Sequence, residues 1–285
     1  MGDLKHLAVL RWATLILCGF ALASPAAGCG GPTATRSTLS SATAATSVPT
    51  ASTLQPSLPL NGKVIVVDPG HDGGDVNHPE IVNRLVDIGT KMKACETTGT
   101  ATSSGYAEAA FNFDVALRLR KLLRARGAKV VMTRDTNAGV GPCINRRAAI
   151  GNQAHGDAAV SIHADGGPAS GRGFHVIMPK SVKGLTDDIA VSSRRLGLSI
   201  RSSYAHGTGM PYATYLGDGV GITVRDDLGG LNLSDIPKVF IETGNMRSSV
   251  DALLLESPSF RQRIAAGLEG GIERFLAPQK GDKGQ

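Results

Sequence analysis

His71, Glu108 and His163 are the residues whose types and surroundings point first to chemistry. His71 stands in Asp68-Pro69-Gly70-His71-Asp72-Gly73, directly after the apolar run Val64-Ile65-Val66-Val67. His163 follows Ser161-Ile162 and precedes Ala164-Asp165, Glu108 opens a helical stretch, and Glu242 closes Val239-Phe240-Ile241-Glu242. Two imidazoles and one carboxylate leave one corner of a tetrahedral ion open for water, which is the donor set of a catalytic rather than a structural zinc. A single Zn2+ held by His71, Glu108 and His163 would lower the pKa of a bound water toward neutrality. Pro69 and Gly70 supply the sharp turn that presents the His71 ring to a crevice instead of the core. Asn112 lies one helical turn after Glu108. It either steadies that carboxylate from behind or is an ordinary surface residue. Four other histidines, His78, His155, His175 and His206, are read as polar residues with their hydrogen bonds met.

Such a set needs a scaffold that brings strand ends together. Five short apolar runs read as buried strands: Val64 to Val67, Lys129 to Met132, Ala159 to Ile162, Phe174 to Ile177 and Val239 to Ile241. Between them Ala109, Phe113, Ala116, Leu119 and Leu123 share one helical stripe, and Arg146 to Gln153, Asp187 to Ser203 and Phe260 to Phe275 read as further helices. Alternation of this kind predicts a single three-layer α/β domain, with a mostly parallel twisted sheet flanked by helices. In such sheets functional residues gather at the carboxyl ends of the strands. His71, His163 and Glu242 all meet that rule.

The N-terminus carries a different signal. Lys5 and Arg11 precede an apolar run from Ala13 to Ala23, then small residues end in Ala26-Ala27-Gly28-Cys29. The run is about half the roughly 20 residues of a spanning helix, so residues 1–28 read as an export signal. Ala26 to Cys29 resembles a lipobox whose cysteine is lipidated, with Ala26 where lipoproteins usually carry Leu. Cleavage after Ala21-Leu22-Ala23 is the alternative and would release a soluble exported protein. Residues 29–60 are nearly all Thr, Ser, Ala, Pro and Gly and read as a disordered tether, about 30 Å between its ends as a flexible coil. The folded domain is expected over residues 61–277, with a flexible tail at 278–285. Cys95 and Cys143 are left for the folded part, and in an oxidising compartment they suggest one bridge worth about 4 kcal/mol. Free thiols or a metal pair are the other readings, the latter short of further cysteines to complete a thiolate site.

The 285 residues are 41% apolar, material for one core. A net charge of +6 falls to +5 once Lys5, Arg11 and Asp3 leave with the signal. That balance suits an anionic polymer or membrane surface. The basic residues are scattered without an aromatic ladder, so nucleic acid is not an expected partner.

Together Asp68 to Gly73, Glu108 with Asn112, Thr133-Arg134-Asp135, Arg147 with Asn152, Ser161 to Asp165 and Ile241-Glu242-Thr243-Gly244-Asn245 resemble, in order and spacing, the zinc-dependent N-acetylmuramoyl-L-alanine amidases. The resemblance covers Lys63 to Leu276. It implies the family's α/β fold, one zinc ion on His71, Glu108 and His163, and Glu242 as the catalytic acid/base. The implied reaction is hydrolysis of the amide between N-acetylmuramic acid and L-alanine of peptidoglycan, by an exported protein expected to be a monomer, with a membrane attachment if Cys29 is lipidated. Asp165 stands where the family more often has Asn, and Thr243-Gly244-Asn245 where it more often has Leu-Gly-Phe. Both departures are expected to tune substrate contacts. Arg147 either fixes a loop or meets the anionic stem. Some family members insert a long helix between the second histidine and the catalytic glutamate that blocks the metal. Here Gly166 to Lys238 reads as a strand, one helix and a Gly-rich stretch, so no such helix is expected. Two other functions compete: a zinc carboxypeptidase, against which the His-x-x-Glu pair is absent because Gly74 follows His71 by three, and a non-catalytic wall-binding lipoprotein, which would be expected to lack Glu108 or Glu242.

Overall fold

The computed structural model describes residues 57–278. Cys29, the export signal and most of the tether lie outside the described residues. Along the chain run β1 (Val64–Pro69), α1 (Pro79–Val82), β2 (Leu85–Asp87), β3 (Met92–Ala94), α2 (Glu108–Ala125), β4 (Lys129–Met132), α3 (Ile144–Gln153) and β5 (Ala158–Asp165). They are followed by β6 (His175–Pro179), α4 (Ala190–Thr208), β7 (Ile222–Arg225), α5 (Gly229–Asn232), β8 (Lys238–Asn245), α6 (Ser249–Leu255) and α7 (Pro258–Leu276).

Six strands form one sheet in the order β4-β1-β5-β8-β6-β7, and β2 with β3 make a separate hairpin. All neighbours in the large sheet are parallel except β6 and β8. The expected mostly parallel sheet is therefore present, and strands buried on both faces explain the unbroken apolar runs of β1 and β5. Side chains alternate across the sheet. Ile65, Val67, Val160, Ile162, Val239 and Ile241 enter the main core under α2, α4 and α7, while Val66 and Ala159 face the other way and join Ile236 in a much smaller cluster. By the same alternation Asp68, Ser161, His163, Lys238 and Glu242 fall on that second, thinly covered face. The site sits there because helices cover only part of it.

Local differences from the sequence reading have physical causes. The buried stripe of α2 runs through Phe111, Val115, Ala116, Leu119 and Leu123. Phe113 instead lies half-buried beneath the Arg134 guanidinium, 4.7 Å from its ring centroid. The helix expected from Asp187 starts at Ala190, and the Gly-rich stretch holds the edge strand β7, in which only Ile222 and Thr223 are half-buried. Leu60 is fully buried and donates its backbone N–H to Arg126 O, so it is part of the folded core rather than of the preceding tether. Helix α4 packs on α7 and β6 through Leu196, Ile200 and Tyr204 and contributes nothing to the cavity lined by His71, Glu108 and His163.

Cys95 and Cys143 are joined in a disulfide, which excludes free thiols and a metal pair at these positions. The bridge ties the exit of the β2–β3 hairpin to the residue that caps α3. Among the described residues no helix is long and apolar enough to cross a membrane.

Candidate metal centre and active site

A cavity of about 380 Å³ opens over the carboxyl ends of β1, β5 and β8, lined by His71, Glu108, His163, Asp165 and Glu242 among others. One donor atom each from His71, Glu108 and His163 lies within 4.8 Å of the others. His71 Nε2 is 3.2 Å and His163 Nδ1 3.0 Å from the same oxygen, Glu108 Oε1.

The chain holds these three donors tightly. His71 sits in the left-handed region at φ 55°, a conformation costing about 1–3 kcal/mol for a residue with a side chain. Two bonds offset that cost: Arg147 Nη2 donates to His71 O at 3.2 Å, and His71 Nδ1 meets Thr97 O at 2.7 Å. The second bond fixes a proton on Nδ1, so Nε2, facing Glu108, is the nitrogen that would share its lone pair with a cation. Gly70 has no alternative, because a Cβ there would run into the His163 ring. Gly99, at φ 74°, would likewise bring a Cβ to 2.8 Å from His71 Cδ2 and 2.9 Å from Glu108 Oε2. Glu108, at the first turn of α2, accepts bonds from Thr100 N, Ala164 N and Asn112 Nδ2. Asn112 is fully buried and also donates to Gly70 O at 3.2 Å, so the surface-residue reading of Asn112 does not hold.

The electrostatics favour a cation at this point. Burial disfavours the charged His71 ring, but the Glu108 and Glu96 carboxylates outweigh it and hold the imidazole well above its ordinary pKa. Burial also resists charge on Glu108, yet His71 and His163 keep it ionised far below the usual carboxylate range. Two nitrogens and a carboxylate at bonding separation, in a place that stabilises positive charge, fit zinc.

Glu242 is the register partner of His163 across the parallel β5–β8 pair. Burial first, then the Glu108 and Asp165 carboxylates, push its carboxyl well above the usual range. Its Oε2 is buried with no partner among the described residues. Immediately beyond, β8 carries one extra residue against β5, a bulge between His163 and Asp165. Bulges beside active sites re-aim side chains. Here Thr243 uses the kink to donate Oγ1 to His163 O at 2.8 Å, and Asn245 Nδ2 bonds Pro168 O and Gly171 O. Thr243, Gly244 and Asn245 are buried and outside the cavity lining, so they fix the strand rather than touch a substrate. Asp165, by contrast, lines the cavity.

Arg147 is 3% exposed and bonds Asp68 Oδ1 at 3.0 Å, Asp72 Oδ2 at 2.6 Å, and the carbonyls of Pro69 and Pro142, with Glu96 Oε2 3.1 Å from its Nε. These bonds make Arg147 a clamp on the loop that carries His71. Lys238 Nζ holds the other oxygen of Asp68, Oδ2, at 2.9 Å, and Thr133 Oγ1 donates to the Oδ1 that Arg147 also bonds, at 2.7 Å. Arg134 grips the same loop at Pro69 O and Gly70 O. Glu96 and Lys238 carry little in the sequence to mark this role. Their partners lie far away in the chain, and the only signals were a lysine opening an apolar strand and an acid beside a bridged cysteine. His175 departs from its reading as well, since it is buried with Nδ1 unpartnered among the described residues.

With this geometry in hand, comparison with known proteins is decisive. The sequence profile of the N-acetylmuramoyl-L-alanine amidase family matches residues 65–274. The chain belongs to this family. It is 39% identical over 221 residues to the N-acetylmuramoyl-L-alanine amidase Rv3717 of Mycobacterium tuberculosis, covering 77% of this chain and 89% of that protein. It is 26% identical to the germination-specific N-acetylmuramoyl-L-alanine amidase of Bacillus subtilis, covering 79% and 84%. The crystal structure of the amidase Ami1 from Mycobacterium smegmatis superposes with a TM-score of 0.71 at 39% identity, covering 76% of this chain and 98% of that one. The amidase fold inferred from the motifs is thus the observed one.

Proposed function

We propose that this amidase is zinc-dependent and hydrolyses the amide joining N-acetylmuramic acid to L-alanine in peptidoglycan, in cell-wall remodelling. The observation that carries the reading is the convergence of His71, Glu108 and His163, with Glu242 set one strand away in register with His163. His71 Nε2, His163 Nδ1 and the Glu108 carboxylate would hold one zinc ion. When bound, zinc supplies Lewis acidity for the scissile carbonyl and for the attacking water. Glu242 takes the proton from that water and delivers it to the departing L-alanine nitrogen. Its raised proton affinity matches a group that must accept a proton and then return it. Asn112, Thr97 and Arg147 would keep the ligand atoms aimed, and Asp165, which lines the cavity, would meet the substrate.

The domain should act alone, because α4, the long helix between His163 and Glu242, lies on the far face of the sheet. Protein stripped with a chelator and dialysed is expected to leave purified peptidoglycan uncut, and one equivalent of zinc to restore hydrolysis with no other protein present. Full turnover after verified removal of the metal, or silence until a partner is added, would refute this.

We read the protein as an exported monomer tethered through a lipid on Cys29. Cys29→Ala is expected to move it from the membrane fraction to the soluble exported fraction. An unchanged distribution would sink the lipid anchor.

A further inference from the structure

Away from the metal ligands the same cavity runs across the sheet toward β7 and the hairpin, over a floor that includes Ile177 and Phe240. Two cations line it there, Lys93 on β3 and Arg225 at the end of β7. By the pairing of β7 with β6, Arg225 shares the face of Ile177 and Phe240, the face that carries Glu242. Asp227 organises both cations. Arg225 donates Nε to Asp227 Oδ1 at 2.8 Å and Nη2 to Oδ2 at 2.9 Å, and Lys93 Nζ donates to Asp227 O at 2.8 Å. Asp227 thus steadies Arg225 through its carboxylate and Lys93 through its main-chain carbonyl, one negative charge beside two positive ones. Arg225 Nη1 has no protein partner among the described residues, and the Arg225 side chain is 42% exposed.

The remaining charges of the cavity wall cannot play this part. Arg147 is spent on Asp68, Asp72 and Glu96, while Glu108, Asp165 and Glu242 are acidic. The substrate of the proposed reaction carries carboxylates on its peptide stem, beyond the scissile amide. A guanidinium preset by Asp227 offers them a charge-assisted bond at little cost in side-chain ordering. We propose that Arg225, assisted by Lys93, is the specificity-determining anchor that selects stems with a free carboxylate. The proposal rests on the amidase reading.

The test compares kcat/KM of the zinc-loaded protein on two muropeptides that differ only in whether the stem carboxylates are free or amidated. The parent is expected to prefer the free acid by about tenfold or more, mostly through KM. Arg225→Met should raise KM for the free acid and shrink the preference to about twofold or less, with a much smaller change in kcat. Arg225→Lys should keep part of it, because the charge stays while the fork is lost. Lys91→Met, which removes a nearby positive charge outside the cavity lining, should leave the preference intact and so separates a specific anchor from general attraction. A parent that does not discriminate, or an Arg225→Met protein that discriminates as the parent does, overturns the anchor. Failure to cut either substrate would instead strike the amidase reading beneath it.

Discussion

Glu242→Gln is expected to retain its zinc and to lose roughly two orders of magnitude or more of turnover, with no recovery on adding metal. The amide preserves the shape of the side chain and leaves His71, Glu108 and His163 untouched. What disappears is the group proposed to take up and return a proton. Glu108→Gln should fail differently. Glu108 Oε1 faces both imidazole nitrogens, so a neutral amide there removes the charge proposed to hold the cation. Zinc content and activity should fall together and be partly restored at high zinc. Metal analysis beside turnover on both variants separates the two roles. A Glu242→Gln protein that loses its zinc, or that works at near the parent rate, would overturn the assignment of Glu242.

The second large effect is on stability. Arg147→Met should destabilise the domain by about 3–5 kcal/mol, because it strips the partner from buried carboxylates instead of replacing a whole ion pair. Burial alone would drive Asp68 toward its neutral form, and it is Lys238 with Arg147 that holds it far below the usual carboxylate range. Glu96 depends on Arg147 and His71 in the same way. For a domain of this size the loss corresponds to a Tm lower by about 10 °C. Since Arg147 also bonds His71 O, zinc affinity should drop as well. Thermal unfolding of the variant checks this, and a Tm within about 2 °C of the parent would show that the network does not carry the loop.

These two variants mark what was legible in the sequence. His71, Glu108, His163 and Glu242 could be found because each follows or opens a recognisable element, and parallel strands deliver their carboxyl ends to one edge. The clamp behind them was not legible. Asp68 meets Arg147 and Lys238 across 79 and 170 residues, and long-range ion pairs leave no local periodicity. The same holds for Asp227 beneath Lys93 and Arg225. The β2–β3 hairpin and β7 escaped because three- and four-residue strands with exposed side chains lack an apolar run to betray them. Phe113 misled the helix stripe because an arginine, not the core, covers its ring.

The central claim is that this cavity cuts one particular amide, and identifying the ends released from purified peptidoglycan by mass spectrometry tests it most directly. The account predicts intact glycan strands bearing free muramic acid carboxyls, together with stem peptides that begin with a free L-alanine amine. Stems shortened from their far end while still joined to the sugar, strands cut between sugars, or no new ends with the zinc-loaded protein would contradict it.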